Sequence, residues 1–279
     1  MNTGIREDRK LFNFLSYAII TPFAVVCVLP FILVISGSFS TESLIVRTGY
    51  GLLPKGFTFS SYEMVFKVPE DIFRAYGVTI GLTIVGSVVG LFLISMTSYV
   101  LLRKDFRSRN FFALFFYFTT LFSGGLVPWY ILMLRYLNMR NNYLALLLPL
   151  LFSVFDLIIM RTFMKSIPDS LCESAKIDGA NEFVIFSRIY LPLCKPALAT
   201  IGLFIALRYW NDWYNAMLFI TDESMHPLQY YLYRTLNSMQ TARMAAERAG
   251  VPIIEMPSQT FKLAMTVVAT GPIILLYPF

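Results

Sequence analysis

The sequence predicts an all-α integral membrane protein, and three observations predict it. Of its 279 residues, 57% are apolar and 14% charged, where soluble domains carry about 25% charged residues. The apolar residues gather in six runs, each long enough to cross a hydrocarbon layer of about 30 Å as a helix. None alternates strictly, as the strands of a membrane barrel do. In lipid the backbone must satisfy its own hydrogen bonds, so only helices remain.

The six runs are 14–35, 76–102, 111–134, 143–163, 197–220 and 261–279, all within a single transmembrane domain, 1–279. The first contains Pro22 and Pro30 and is too long for the apolar core of a secretory signal, so it is read as a retained helix. The second carries Gly77, Gly81, Gly86 and Gly90, two small-residue pairs that allow close helix approach. Gly124, Gly125 and Pro128 interrupt the third run and Pro149 the fourth, as tolerated kinks or as broken helices lining a path. Segments 39–75 and 221–260 are the long connections and are expected to be ordered caps.

The net charge of +6 does not indicate nucleic acid, because the cations lie in short interhelical loops. Twelve of the 23 Lys and Arg fall on the side of the N-terminus, which hardly discriminates. Density does better: Arg103, Lys104, Arg107 and Arg109 crowd one seven-residue turn. Both termini are therefore expected in the cytoplasm. Cys27, Cys172 and Cys194 have neither paired nor metal-ligand spacing.

Between the fourth and fifth runs lies a polar island, 164–196. Ser170 and Glu173 have capping-box spacing, and a helix over 171–178 can leave through a left-handed Gly179. Leu171, Ser174, Ala175 and Asp178 share a face of small residues suited to a groove, and Glu173 offers a carboxylate to a basic partner. A second helix is expected over 181–190, ended by Pro192 and Pro196. Taken alone, this could be a well-capped connecting loop.

The spacing is more specific than the cap. Glu173-Ser174-Ala175, then Gly179, then Ile189 and Leu191-Pro192 resembles the cytoplasmic loop of bacterial ABC-importer permeases. One departure is Ser174, where that family commonly has Ala. Arg161, Phe163, Asp178-Gly179-Ala180, Lys195-Pro196 and Trp210-Asn211-Asp212 extend the resemblance to the carbohydrate, maltose-type branch, nearest to oligosaccharide, aldouronate and alginate-type permeases.

The resemblance implies a type I importer permease whose short cytoplasmic helix, 169–180, docks an ATPase. Ser170, Leu171, Glu173, Ser174, Ala175, Asp178, Gly179 and Ala180 would form the coupling site. It also implies a second permease subunit, two copies of an ABC ATPase and an extracellular solute-binding protein, toward which the 235–256 segment would reach. Relatives continue into a cytoplasmic tail, whereas this sequence stops at Phe279 in an apolar run, which is read as truncation.

Asp156, Arg208 and Asp212 lie within or beside apolar runs, where charges usually face a bundle interior or water. Arg208 and Asp212 are four apart and can pair, with Trp210 and Trp213 as interfacial aromatics. Alternatively Arg208, Tyr209, Asn211 and Asp212 border a sugar path, and an unpaired Arg208 would suit an acidic sugar. His226 reads as a surface or packing residue, and Met239, Met244 and Met256 are weak signals.

Two other functions compete with an importer subunit. A secondary transporter would share the broken helices but should show inverted repeats, and none is visible. An intramembrane enzyme lacks support, since the chain has no HExxH and no G-x-S-x-G. There is no Gly-Lys dipeptide and hence no P-loop, so ATP and Mg are expected on a partner, with no cofactor or metal on this chain.

Overall fold

The computed structural model describes residues 4–249 and 259–276. Among them every named element is helical, apart from one isolated bridge between Ser40 and Phe57. By length and composition Phe12–Ser38 and Pro69–Leu102 can each cross a membrane alone. Counting each of three bent helix pairs as one span gives up to five among the described residues, one fewer than the six runs expected. The all-α membrane expectation holds.

The chain divides into two compact units. In the first, helix Gly4–Ser38 runs through Pro22 and Pro30 without interruption and packs against helix Gln259–Leu276. The sixth expected run thus lies on a helix, while 277–279 fall outside the described residues. Apolar side chains from Phe12 to Ile35 are largely exposed, as on a helix facing lipid or another subunit. Helices Glu42–Thr48 and Ser60–Val65 order the 39–75 segment. The Glu42 carboxylate accepts from the Gln259 and Thr260 amides, at 3.0 and 2.8 Å, filling the N-terminus of Gln259–Leu276.

The second unit, Glu70–Tyr233, holds the candidate site. Helix Pro69–Leu102 is continuous, and two of its four glycines explain how it packs. A Cβ at Gly90 would stand 2.8 Å from the Leu151 carbonyl, and one at Gly86 would collide with the Tyr209 ring. Gly77 and Gly81 meet nothing within 4 Å. Only one of the two predicted close-approach pairs is used among the described residues.

The third and fourth expected runs are not straight spans. Helices Arg109–Leu121 and Leu126–Tyr136 are bent by 114° across Gly124 and Gly125, where Gly125 takes a φ of 82° that a side chain would resist. Leu144–Leu150 and Val154–Lys165 meet at 46°, with Pro149 in a 3-10 turn. Helix Lys195–Trp210 stops at Asn211, well short of residue 220, and a separate helix, Tyr214–Phe219, follows. The 221–260 segment carries helix Leu228–Arg248, with Met239 and Met244 on it; Met256 lies outside the described residues.

Candidate coupling site

Within 164–196, helix Asp169–Ile177 stands where the spacing predicts it. Its start differs. Pro168, extended at φ −61° and ψ 132°, takes the cap position, which puts Ser170 inside the first turn and leaves the Ser170–Glu173 capping box unformed. Asp169 in the first turn and Lys176 in the last complement the helix dipole instead. The exit matches expectation: Gly179 has φ 83°, its amide donates to Lys176 O at 3.0 Å, and the Ala180 amide donates to Ala175 O at 2.9 Å. That pair of bonds is a Schellman ending, and it requires the left-handed residue.

The second helix begins at Asn181, whose side chain accepts from the Val184 amide at 2.9 Å. It continues as a π segment over Phe186–Tyr190 and a turn over Leu191–Leu193. Pro192 therefore does not end it. Proline is tolerated in a first helical turn, and Pro192 falls there. The break comes at Cys194, where the chain turns 83° into Lys195–Trp210.

The helix divides into an inward and an outward side. Cys172 is buried in a cluster with Tyr99, Met160, Met164, Ile185, Phe186 and Tyr190, and Ala175 and Ala180 pack against it. Ala175 thus serves the chain's own core and not the outward face proposed for it. Leu171, Glu173, Ser174 and Asp178 are exposed. Ile177 is 87% exposed, the most solvent-facing large apolar side chain of the segment. Sequence reasoning passed over Ile177 because an isoleucine at the end of a short amphipathic helix reads as core.

An ion network, also missed, ties this helix to the turn after Leu102. Arg103 donates to Cys172 Sγ at 2.9 Å and pairs with Asp105 and Glu182 at 3.0 and 3.2 Å. Lys176 pairs with the same two carboxylates, at 3.2 and 2.9 Å. Lys104 reaches Asp169 at 2.7 Å. That bond holds the Asp169 carboxyl below the usual carboxylate range and raises Lys104. Lys176, with Arg103 behind it, lowers Asp105 in the same way. Tyr99 donates to Glu182 and lies edge-on to Tyr190, with ring centroids 5.0 Å apart. Glu173 makes no ion pair among the described residues.

The intramembrane charges are arranged differently from expectation. Arg208 pairs with Asp156 and not with Asp212. The Asp212 carboxylate instead accepts from the Asn215 amide and side chain, at 3.2 and 3.1 Å, because the helix has already ended at Asn211. Asp156 is fully buried and Arg208 about 30% exposed. Tyr209 is buried within the chain's own packing, donating to Leu147 O at 2.6 Å. Trp210 is buried near Tyr76 and is not an interfacial anchor. Asn211 is exposed, accepts from the Gln229 side chain at 3.3 Å, and has Trp213 nearby in sequence, whose ring lies 4.7 Å from Tyr233. His226 is buried edge-on against Tyr230, a packing residue but not a surface one.

No protein-family profile matches the chain. Curated relatives do. The polygalacturonan/rhamnogalacturonan transport system permease protein YtcP of Bacillus subtilis is 40% identical over 272 residues, 97% of this chain and 93% of the relative. Protein LplC of the same organism is 40% identical over 256 residues, 91% and 85% of the two chains. In three dimensions the chain matches a bacterial ABC transporter involved in import of the acidic polysaccharide alginate. The TM-score is 0.80 and the identity 31%, over 98% of this chain and 96% of that one.

Proposed function

This chain belongs to the family of ABC-transporter permease proteins for sugars and oligosaccharides, and from that premise we infer how it works and on what. It is a membrane subunit that forms half of a translocation path, and the secondary-transporter alternative lapses with the family assignment. The proposed assembly adds a second permease, two ATPase copies that handle ATP and Mg, and an extracellular solute-binding protein. Both termini are placed in the cytoplasm and no catalysis is assigned to the chain.

One observation carries the coupling role: a helix whose inner side is locked to the membrane helices while its outer side stays bare. Glu173, Ser174, Ile177 and Asp178 are free to meet an ATPase, and Leu171 flanks them. Cys172, Ala175 and Ala180 anchor the helix to the bundle, and Gly179 sets its exit. A partner that holds this helix differently in its two nucleotide states would shift the gate, since only differential binding moves such an equilibrium. The double variant Glu173→Lys with Gly179→Asp should remain membrane-inserted and assembled yet lose uptake and substrate-stimulated ATP hydrolysis. Normal transport by that variant would sink the assignment.

For cargo, the reading is an acidic oligosaccharide, supported by the polygalacturonan relative and the alginate importer. Asp156 neutralises Arg208, so Arg208 is not the group that favours an anion. The sugar-facing surface proposed is the exposed end of the Lys195–Trp210 helix, where Asn211 and Gln229 offer amides and Trp213 and Tyr233 offer ring faces.

A further inference from the structure

Beside the start of helix Asp169–Ile177 lies a groove of about 800 Å³, most of whose lining belongs to other elements. It opens where three membrane helices terminate: Leu102 ends one, Arg109 begins the next, and Lys165 ends a third. Its lining holds four cations, Lys104, Arg109, Arg161 and Lys165, against one carboxylate, Asp169. Lys104 is occupied with Asp169. Arg109, Arg161 and Lys165 have no acidic partner among the described residues. Arg109 stands close enough to Lys104 to oppose its charge, so these two cations share one field. Such a concentration of unpaired positive charge is unfavourable unless an anion spreads across it.

A second feature identifies the anion. An apolar crevice of about 200 Å³ is lined by Leu101, Phe116, Tyr117, Val154, Leu157 and Ile158, together with Arg161. Ile158 and Arg161 line both spaces, so crevice and groove meet along helix Val154–Lys165. The crevice is flanked by helices whose exposed neighbours, including Leu114, Phe118 and Phe155, are apolar. A free phosphate would need the cations but not the crevice. A surface of another protein would not need an apolar slot between membrane helices beside the cations. Basic pockets between membrane helices at the cytoplasmic surface suit lipid headgroups, each cation adding attraction for an anionic lipid.

We propose that Arg109, Arg161 and Lys165 bind the phosphodiester of an anionic phospholipid, one of whose acyl chains lies in the crevice between Leu101, Phe116 and Ile158. The planar guanidinium groups of Arg109 and Arg161 suit two phosphate oxygens, and Lys165 supplies a point charge at the rim. The inference needs the chain to lie in a membrane but does not depend on the importer reading, and its readout is a lipid crosslink and not transport.

The test places the assembled transporter in nanodiscs of phosphatidylcholine with phosphatidylglycerol, each lipid in turn carrying a photoreactive acyl chain. Phosphatidylglycerol should label 101–117 and 154–165 preferentially. Each Gln substitution at Arg109, Arg161 or Lys165 should lower that preference by about fivefold. Arg161→Lys, which keeps the charge and loses the planar fork, should fall between wild type and Arg161→Gln, and background labelling by phosphatidylcholine should not change, which separates lost binding from lost folding. Equal labelling by both lipids, or an unchanged preference in the triple Gln variant, would overturn the proposal. So would displacement of the lipid by millimolar inorganic phosphate, which would make the groove a free-anion site. Crosslinks from the groove to an ATPase subunit in place of lipid would make it a protein interface.

Discussion

Two charge clusters in this chain are built from the same residue types and placed in opposite surroundings. The exposed one joins Arg103, Lys104, Asp105, Asp169, Lys176 and Glu182 through five pairs, nearly all solvent-accessible. The intramembrane one is a single pair, Arg208 with Asp156, whose carboxylate has no exposure and one oxygen without a hydrogen bond. Exposed pairs are individually weak and can exchange partners; both Arg103 and Lys176 already share Asp105 and Glu182. A buried pair cannot exchange, because any intermediate leaves a bare charge out of water. The first arrangement suits a part that moves with a partner, the second a part that must keep its register.

The largest expected effect comes from breaking the buried pair. Arg208→Ala takes away the ion-pair partner of the buried Asp156 carboxyl, leaving both its oxygens without a hydrogen bond among the described residues, and it should lower the stability of the purified protein by about 3–5 kcal/mol. Replacing both partners with apolar residues, Arg208→Met with Asp156→Leu, should recover most of that loss, because no charge is then stranded. Denaturation of the parent protein, Arg208→Met, Asp156→Leu and the double variant gives the coupling energy. Additive losses would show that the two side chains do not interact, and the contrast between the clusters would collapse. Uptake by the double variant sharpens it further: retained transport assigns the pair to scaffolding, and lost transport in a stable protein assigns it to the path.

The exposed cluster shows where the sequence was legible. The left-handed exit at Gly179 and the Asn181 start follow from local chemistry, whereas the helix itself begins after Pro168 and without the Ser170–Glu173 capping box that its spacing suggested. These signals act within four or five residues and can be read in a line of letters. The partners of Arg103 could not be, because Glu182 is 79 residues away and reaches it only through the fold. Arg208 failed for the same reason. Its neighbour at i+4 is Asp212, but the helix ends between them and Asp156, 52 residues distant, takes the contact. Glycine pairs gave an intermediate outcome. Gly86 and Gly90 pack as their spacing suggests while Gly77 and Gly81 do not, because spacing marks a smooth face without saying what lies against it. Interruptions fared similarly: Pro22 left its helix whole, whereas Gly125 turned the chain by 114°. Glycine changes the allowed backbone; proline in lipid only removes one bond.

Breaking the exposed cluster should cost less stability and more coupling. Arg103→Ala removes its pairs with Asp105 and Glu182, and loses about 1 kcal/mol. Its stability cycle with Glu182→Gln should shrink as salt is raised, whereas the Arg208–Asp156 cycle should not, because screening reaches exposed charges and scarcely reaches buried ones. The ratio of sugar transported to ATP hydrolysed should fall in Arg103→Ala, since the docking helix would then be less firmly joined to the end of helix Pro69–Leu102. An unchanged ratio would show that Cys172 packing alone transmits the motion. Equal salt dependence of the two cycles would mean that solvent reaches both pairs alike.

The smallest effect concerns pH, and its sign follows from the direction of each shift. Asp105 and Asp169 are held below their ordinary value of 3.8 by Lys176 and Lys104. Their contribution is therefore complete above that value and is lost as pH falls through the lowered one. Lys104 and Lys176 are raised above 10.5, chiefly by Asp169 and by Glu182. Theirs is complete below 10.5 and is lost as pH rises past the raised value. Between those limits the network is fully charged at every pH, with no histidine within it to titrate. The distance between spin labels at positions 107 and 174 should accordingly stay constant across the whole neutral range and lengthen only toward either extreme. A change centred near neutrality would require a titrating group outside this network, and the docking helix would then be held by something other than the six side chains that join it to the turn.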